Sequence, residues 1–127
     1  KHCYNFFGID KYFAQSEREI PAGKHQVRLE FSYDGGGLAK GGTVSLFIDG
    51  EKDGEGRVDQ TVPMLFGTDT CDVGSDAASP VSPDYGPKDN AFNGTVNWVQ
   101  IDIDENAEDL DHLITPEERY KVAIARQ

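Results

Sequence analysis

Residues 43–58 read TVSLFIDGEKDGEGRV, and this stretch decides the fold. Its first half alternates polar and apolar side chains, although Phe47 interrupts the polar face. The apolar positions are Val44, Leu46 and Ile48. Such a period of two is typical of a half-buried strand. Asp49-Gly50 follows, and both residue types tolerate the positive φ angles of a tight hairpin turn. We therefore predict that residues 52–58 return antiparallel.

The same alternation recurs on both sides of this hairpin. Lys24 to Tyr33 alternates apolar with polar residues, and so does Phe92 to Ile103 if a bulge near Asn97 and Trp98 reconciles two registers. Short strands separated by turns are typical of all-β proteins. The sequence therefore predicts an antiparallel β-sandwich or jelly roll.

The end of the chain has a different character. Residues 105–113 are acidic, and Thr115-Pro116-Glu117-Glu118 has the chemistry of a capped helix start. We predict a short helix from Pro116 to Arg126. The domain organisation is then a β-sandwich over residues 1–104, with an acidic linker and C-terminal helix of the same domain over residues 105–127.

Charge excludes two classes of partner. The 127 residues include 12 basic and 23 acidic side chains, a formal net charge of -11. Nucleic acids and anionic membranes are both recognised through basic patches, so neither is expected as a partner. The sequence assigns no cellular compartment.

The sequence contains no motif of an independent enzyme. It has no G-x-S-x-G elbow and no H-E-x-x-H pair. The glycine-rich run from Asp34 to Gly42, DGGGLAKGG, has Gly42 where a phosphate-binding loop needs Lys, so we predict a strand connection. Cys3 and Cys71 have no metal-binding spacing and are expected to be two reduced, buried thiols.

An acidic segment between the strands is the candidate functional surface. Four aspartates occur within sixteen residues and no basic residue lies among them. They are Asp69, Asp72, Asp76 and Asp84. Carboxylates on irregular backbone are ligands that Ca²⁺ prefers, so a calcium site is one hypothesis. Solvated carboxylates and Asx turns are the alternative.

Two aromatic residues lie near turns and polar neighbours. Tyr85 and Trp98 could stack on the face of a sugar ring. The alternative is structural: Tyr85 packs over its loop and Trp98 covers a sheet edge.

Six segments together resemble a known family. They are YNFFGID (4–10), the whole of residues 21–57, TVPMLF (61–66), DVGSDAASPVSPDYG (72–86), FNGTVNWVQIDI (92–103) and LITPEERYKVAIARQ (113–127). In this order they resemble the C-terminal region of bacterial arylsulfatases over nearly the whole chain.

The resemblance implies a non-catalytic accessory domain. In that family a preceding catalytic domain carries a C/S-x-P-x-R segment whose Cys or Ser becomes formylglycine. Cys3 is followed by Tyr-Asn and Cys71 by Asp-Val, so no catalytic residue is carried over to this sequence. The resemblance implies a concanavalin-like or laminin-G-like β-sandwich that packs beside a sulfatase domain and frames its substrate entrance.

Two other functions remain open. The first is a free-standing carbohydrate-binding module that uses the aspartates and aromatic residues described above, with or without calcium. The second is an assembly module in which the C-terminal helix or an open sheet edge binds another protein chain or a second copy.

Overall fold

The fold was obtained as a computed structural model, which describes residues 1–64 and 71–102. Its five strands are β1 (His2–Phe6), β2 (Asp10–Ser16), β3 (Val27–Tyr33), β4 (Gly42–Ile48) and β5 (Glu51–Val58). They form one antiparallel sheet in the order β1-β2-β5-β4-β3. The predicted all-β antiparallel class is confirmed. The described residues include no helix, and the predicted linker and helix over residues 105–127 lie outside them.

The β4–β5 hairpin forms where the sequence predicts it. Ile48 pairs with Glu51 across a two-residue turn, and φ is 52° at Asp49 and 86° at Gly50. Positive φ at both central positions matches the right-handed twist of the flanking strands. A register shift follows between Leu46 and Phe47. The local turn chemistry therefore determines this hairpin.

The core lies on one face of β4. Its buried apolar residues are Val44, Leu46 and Ile48 of β4, with Ala14 of β2 and Val58 of β5. β2 can approach this face because Gly54 and Gly56 of β5 carry no Cβ. A Cβ on Gly56 would lie 2.3 Å from the carbonyl oxygen of Phe13 and 2.7 Å from the Cβ of Ala14. Such distances are far inside van der Waals contact, so β5 requires glycine there.

Strand β3 confirms the prediction of a strand but not the prediction of a half-buried one. Val27, Leu29 and Phe31 lie opposite Ile48, Leu46 and Val44, which places both rows on the same face of the sheet. The β4 row is buried, whereas the three β3 side chains are exposed. In the described sheet β3 is one of the two edge strands, and β2, which helps to cover β4, lies beyond β5 on the other side of β4.

The connection between β3 and β4 is the glycine-rich segment, as predicted. The hydroxyl of Tyr33 accepts a hydrogen bond from the amide of Lys40 at 2.9 Å and donates to the carbonyl of Gly37. Arg57 of β5 forms a two-pronged ion pair with Asp34. These contacts hold the segment against the sheet.

A hairpin that the sequence did not reveal joins β1 to β2. Its turn has φ of 53° at Phe7 and 74° at Gly8, and the amide of Ile9 donates to the carbonyl of Phe6 at 2.9 Å. The side chain of Asn5 accepts a hydrogen bond from the Gly8 amide at 2.8 Å. Asn5 thus satisfies a backbone donor that the turn leaves unpaired.

The strand predicted over Phe92 to Ile103 is wrong for the part that the structure describes. Residues 92–102 belong to no strand, so the bulge expected near Asn97 and Trp98 has no ladder to interrupt. Val99 and Ile101, which the alternation would place on one face of that strand, are both exposed. An alternating pattern shows which face a strand would bury, but a strand forms only where a neighbour accepts its hydrogen bonds.

The chain divides into two compact units, Lys1–Asn97 and Trp98–Gln127. The first contains the sheet and the segment that follows it. Of the second, the structure describes residues 98–102, where the side-chain amide of Gln100 donates to the carboxylate of Asp102 at 2.9 and 3.0 Å. No described helix is long and apolar enough to span a membrane.

Candidate functional site

A cavity of about 520 Å³ lies between the start of β1 and residues 71–90, hereafter the acidic loop. Most of the residues that line it have polar or charged side chains, although much of the surface that they expose is apolar. The predicted residues Asp72, Asp76, Asp84 and Tyr85 all line it. Its volume is within the range of small-molecule sites in proteins. The acidic loop is therefore the candidate functional site of the described residues.

The carboxylate of Asp76 organises the middle of the acidic loop. Its Oδ2 accepts hydrogen bonds from the Tyr85 hydroxyl at 2.6 Å and from the Val81 amide at 3.0 Å. These bonds favour the ionised form, so they hold the pKa of Asp76 below its ordinary value. The same bond raises the pKa of Tyr85, since a phenolate beside a carboxylate is disfavoured.

Asn90 closes the acidic loop from the other end. Its Oδ1 accepts from the Asp76 amide at 3.0 Å, and its Nδ2 donates to the carbonyls of Asp76 at 2.8 Å and Gly86 at 3.0 Å. Just beyond, the amide of Phe92 donates to the carbonyl of Gly74 at 2.6 Å. The two ends of the loop are thus joined by direct hydrogen bonds.

Asp84 attaches the acidic loop to the first strand. Its carboxylate lies 2.8 Å from the Nζ of Lys1 and accepts a hydrogen bond from the buried Ser82 hydroxyl, also at 2.8 Å. The hydrogen bond from Lys1 is the main cause that lowers the pKa of Asp84. The ammonium of Lys1 also lies 4.2 Å from the centre of the Phe13 ring. Lys1 is therefore held from two sides.

The two thiols contribute to the same cavity. Both are free; Cys3 is half-buried, whereas Cys71 is exposed, which contradicts its predicted burial. The Sγ of Cys3 donates to the carbonyl of Val81 at 3.3 Å, and burial raises the pKa of this thiol. A raised pKa leaves Cys3 protonated near neutral pH, so it is a poor nucleophile.

The calcium hypothesis stays a prediction. Asp72 accepts a hydrogen bond from the Ala77 amide at 3.0 Å, so each of the three described aspartates accepts at least one hydrogen bond from its own loop. Among residues 1–64 and 71–102, no three His, Cys, Asp or Glu side chains are arranged to hold a metal ion. Asp69 lies outside the described residues.

The two aromatic candidates are placed in different units. Tyr85 is 38% exposed on the cavity wall, and its hydroxyl is bonded to Asp76. Trp98 is exposed and belongs to the second unit. The sugar-binding hypothesis therefore has to be assessed separately for Tyr85 and for Trp98.

Sequence reasoning missed Lys1, Ser82 and Asn90, which hold the acidic loop in place. Lys1 and Asp84 are 83 positions apart, so no local pattern reveals their contact. The available signal for Asn90 was the pair Asp89-Asn90, because both residue types favour turns and bond to nearby main chain. In the structure Asp89 has a φ of 57° and Asn90 bonds back to Asp76.

The chain matches no protein-family model, and no solved structure matches it.

Proposed function

We propose that this chain is a non-catalytic module of the arylsulfatase C-terminal type, which packs beside a sulfatase domain and frames its substrate entrance. The finer fold that we propose with it is a concanavalin-like or laminin-G-like β-sandwich or jelly roll with a C-terminal helix. Six ordered segments of the sequence support the proposal by resemblance. The antiparallel sheet of the described residues is compatible with half of such a sandwich.

The chemistry of the cavity is the observation that carries the non-catalytic part. Its wall presents Asp72, Asp76 and Asp84 and one lysine side chain, that of Lys1, whose ammonium is already paired with Asp84. An acidic surface repels a sulfate ester. The described carboxylates also accept hydrogen bonds from their own loop, an arrangement that suits structure better than proton transfer.

The way the acidic loop is held supports the accessory role. Asp76, Asn90 and the main-chain bond between Gly74 and Phe92 give the loop a defined shape without a regular element. A well-held surface loop can form a fixed wall beside a neighbouring active site. In our proposal the acidic loop is that wall, and its charge turns anionic substrate toward the catalytic domain.

The test has two parts. The purified chain is first assayed with p-nitrophenyl sulfate, and we expect no turnover. The chain is then added to the catalytic domain of a bacterial arylsulfatase whose own C-terminal region has been removed. We expect binding by calorimetry and a change in KM for p-nitrophenyl sulfate.

The matched variants are Asn90→Ala, which removes three hydrogen bonds of the acidic loop, and Asp89→Asn, which leaves the Asn90 contacts in place. We expect the first to abolish the change in KM and the second to preserve it. Turnover by the chain alone that disappears on mutation of one of its residues would refute the non-catalytic assignment. Absence of binding to the catalytic domain would refute the accessory role.

Sugar binding is the second candidate function, favoured by one observation. Tyr85 lines the cavity together with residues that carry oxygen acceptors, among them Asp72, Asp76 and Asp84. An aromatic face beside acceptors is the usual composition of a sugar site. Neutral sugars are the expected class, since the carboxylates would repel sulfated ones.

A glycan array with and without a chelator tests this second candidate. Binding of neutral sugars that Tyr85→Ala removes and Tyr85→Phe retains would support it, because the ring is kept in the second variant. Loss of that binding with chelator would support the calcium hypothesis as well. No binding to any neutral sugar would exclude the candidate.

A further inference from the structure

Strand β3 forms an edge of the sheet, and among residues 1–64 and 71–102 no strand pairs with its outer side. It is seven residues long, VRLEFSY, without proline or lysine. Edge strands are usually protected by proline, lysine, bulges or a covering segment, because an open edge pairs readily with another strand. β3 has no proline, lysine or bulge, and its two charged residues, Arg28 and Glu30, form an ion pair with each other.

The hydrogen-bonding groups of β3 can be assigned to two sides. The carbonyl of Gln26 accepts a hydrogen bond from the amide of Asp49, and the amide of Asp34 donates to the carbonyl of Gly41. Gln26 and Asp34 therefore turn their main-chain groups toward β4. Because an antiparallel ladder alternates, the even-numbered residues between them also face β4. Val27, Leu29 and Phe31 therefore direct their amide and carbonyl groups outward.

The side chains of these same three residues form an exposed apolar row. Val27, Leu29 and Phe31 are 58%, 45% and 42% exposed. They continue the buried row of β4 across the sheet, since they lie opposite Ile48, Leu46 and Val44. A strand added at this edge would extend the same face by one more row and cover part of the exposed one.

The charges on the opposite face are self-complementary. In an antiparallel pair of two β3 strands centred on Leu29, Arg28 of each copy lies opposite Glu30 of the other, and Val27 lies opposite Phe31. Registers centred on Arg28 or on Glu30 instead place two like charges opposite each other, which is destabilising. The register centred on Leu29 also pairs outward-facing residues with one another, as hydrogen bonding requires.

We propose that two copies of this chain associate through the outer edge of β3, antiparallel and centred on Leu29. In a two-fold dimer the same surface of both copies meets, so that surface must be complementary to itself. The opposite charges of Arg28 and Glu30 give the edge of β3 this self-complementarity. The net charge of -11 does not prevent the approach locally, since residues 1–43 carry six basic and five acidic side chains. The dimer does not depend on the proposed arylsulfatase-type role.

Sedimentation of the full chain over a range of concentrations provides the first measurement, and we expect a concentration-dependent dimer. Glu30→Arg places arginine opposite arginine twice, and Arg28→Glu places glutamate opposite glutamate twice. Each should weaken self-association about tenfold or more, since two favourable cross-strand pairs become two unfavourable ones. Glu19→Arg makes the same change of charge in an exposed segment before β3 and should leave association unchanged.

Mixing the two variants gives the decisive measurement. A Glu30→Arg chain and an Arg28→Glu chain are complementary in the register centred on Leu29, so an equimolar mixture should form a heterodimer although each variant alone does not. Recovery in the mixture also shows that both variants are folded.

Three results would overturn the proposal: a monomer at every concentration, a dimer that neither variant weakens, or a mixture that remains monomeric.

Discussion

β3 and β4 carry the same alternation of apolar and polar residues, yet β4 buries its apolar row and β3 exposes it. The two rows lie side by side on one face of the sheet. β4 has a neighbour on each side and shares its core with Ala14 of β2 and Val58 of β5. Within residues 1–64 and 71–102, β3 pairs only with β4. The period of two therefore identifies the face of a strand, and the position of the strand in the sheet determines its burial.

The largest expected effect comes from a matched pair of truncations. Leu46 and Leu29 are cross-strand partners, 7% and 45% exposed. We expect Leu46→Ala to lower the free energy of unfolding by about 2–4 kcal/mol, because it leaves a cavity in the core. Leu29→Ala should cost less than about 1 kcal/mol. Urea unfolding at a concentration where the chain is monomeric measures both, and equal losses would contradict the difference in burial.

The next effect tests why β4 is covered. We expect Gly56→Ala to cost about 1–3 kcal/mol, because the added methyl collides with Phe13 and Ala14 of β2 and forces that strand away. Gly86→Ala is the control, since its Cβ would meet no atom within 4 Å and its φ is not positive. A change of about 0.5 kcal/mol or less is expected there. Thermal unfolding of both variants gives the comparison.

A smaller effect concerns the polar face shared by β3 and β4. The guanidinium of Arg28 lies 4.0 Å from the centre of the Phe47 ring. An exposed cation–π contact contributes about 0.5–1 kcal/mol. Arg28 also forms an exposed ion pair with Glu30, which adds at most about 1 kcal/mol. We expect Arg28→Ala to lose about 0.5–2 kcal/mol in the monomer. Lys24→Ala, at an exposed position before β3, should be neutral. If both variants unfold at the same urea concentration, the contact contributes nothing to the attachment of β3.

The smallest effect is recognisable by its dependence on pH. Asp49 joins the start of β3 to the end of β4: its Oδ2 lies 2.7 Å from the Nδ1 of His25, and its Oδ1 accepts from the Gln26 amide at 2.9 Å. The hydrogen bond with His25 is the first cause that lowers the pKa of Asp49 from 3.8. Because the folded pKa is the lower one, this stabilisation is complete above about pH 4 and is lost as the pH falls through the folded pKa.

Asp49→Asn keeps a residue that tolerates positive φ but removes the charge. The variant should be less stable than the parent at neutral pH, and the difference should shrink in acid. Asp89→Asn is the control, since Asp89 also has positive φ, at 57°. Stability curves of the three proteins against pH provide the test, and a difference that persists unchanged in acid would exclude the carboxylate as its source.

The parts of the fold that follow from neighbouring residues could be predicted from the sequence. Asp49-Gly50 predicts the β4–β5 turn because both φ requirements are local. The alternation in β3 and β4 predicts two strands for the same reason. The β1–β2 hairpin was missed because its turn places Phe7, a bulky residue, at a φ of 53°. Bulky side chains rarely adopt positive φ, so the sequence gives no reason to expect a turn at a phenylalanine.

The parts that depend on distant partners could not be predicted. Residues 92–102 have the alternation of a strand but form none, because strand formation needs a partner that the pattern does not specify. In the acidic loop, composition pointed to Asp72, Asp76, Asp84 and Tyr85, and the structure brings these to one cavity. Their partners could not be predicted from the sequence. Lys1 and Asp84, for example, are 83 positions apart, and all five strands lie between them in the sequence.

The closed ends of the acidic loop have a consequence for protein engineering. Gly74 and Phe92 meet through a 2.6 Å main-chain bond, and Asp76 and Asn90 meet just inside them. The two ends of the loop are therefore held together, while Val81 and Asp84 between them also contact Cys3 and Lys1 at the start of the chain. Ala78 and Ser79 are exposed and precede Val81, Asp84 and Gly86, which contact Cys3, Lys1 and Asn90. A peptide inserted between them should leave the sheet intact, so this point suits grafting or a randomised library.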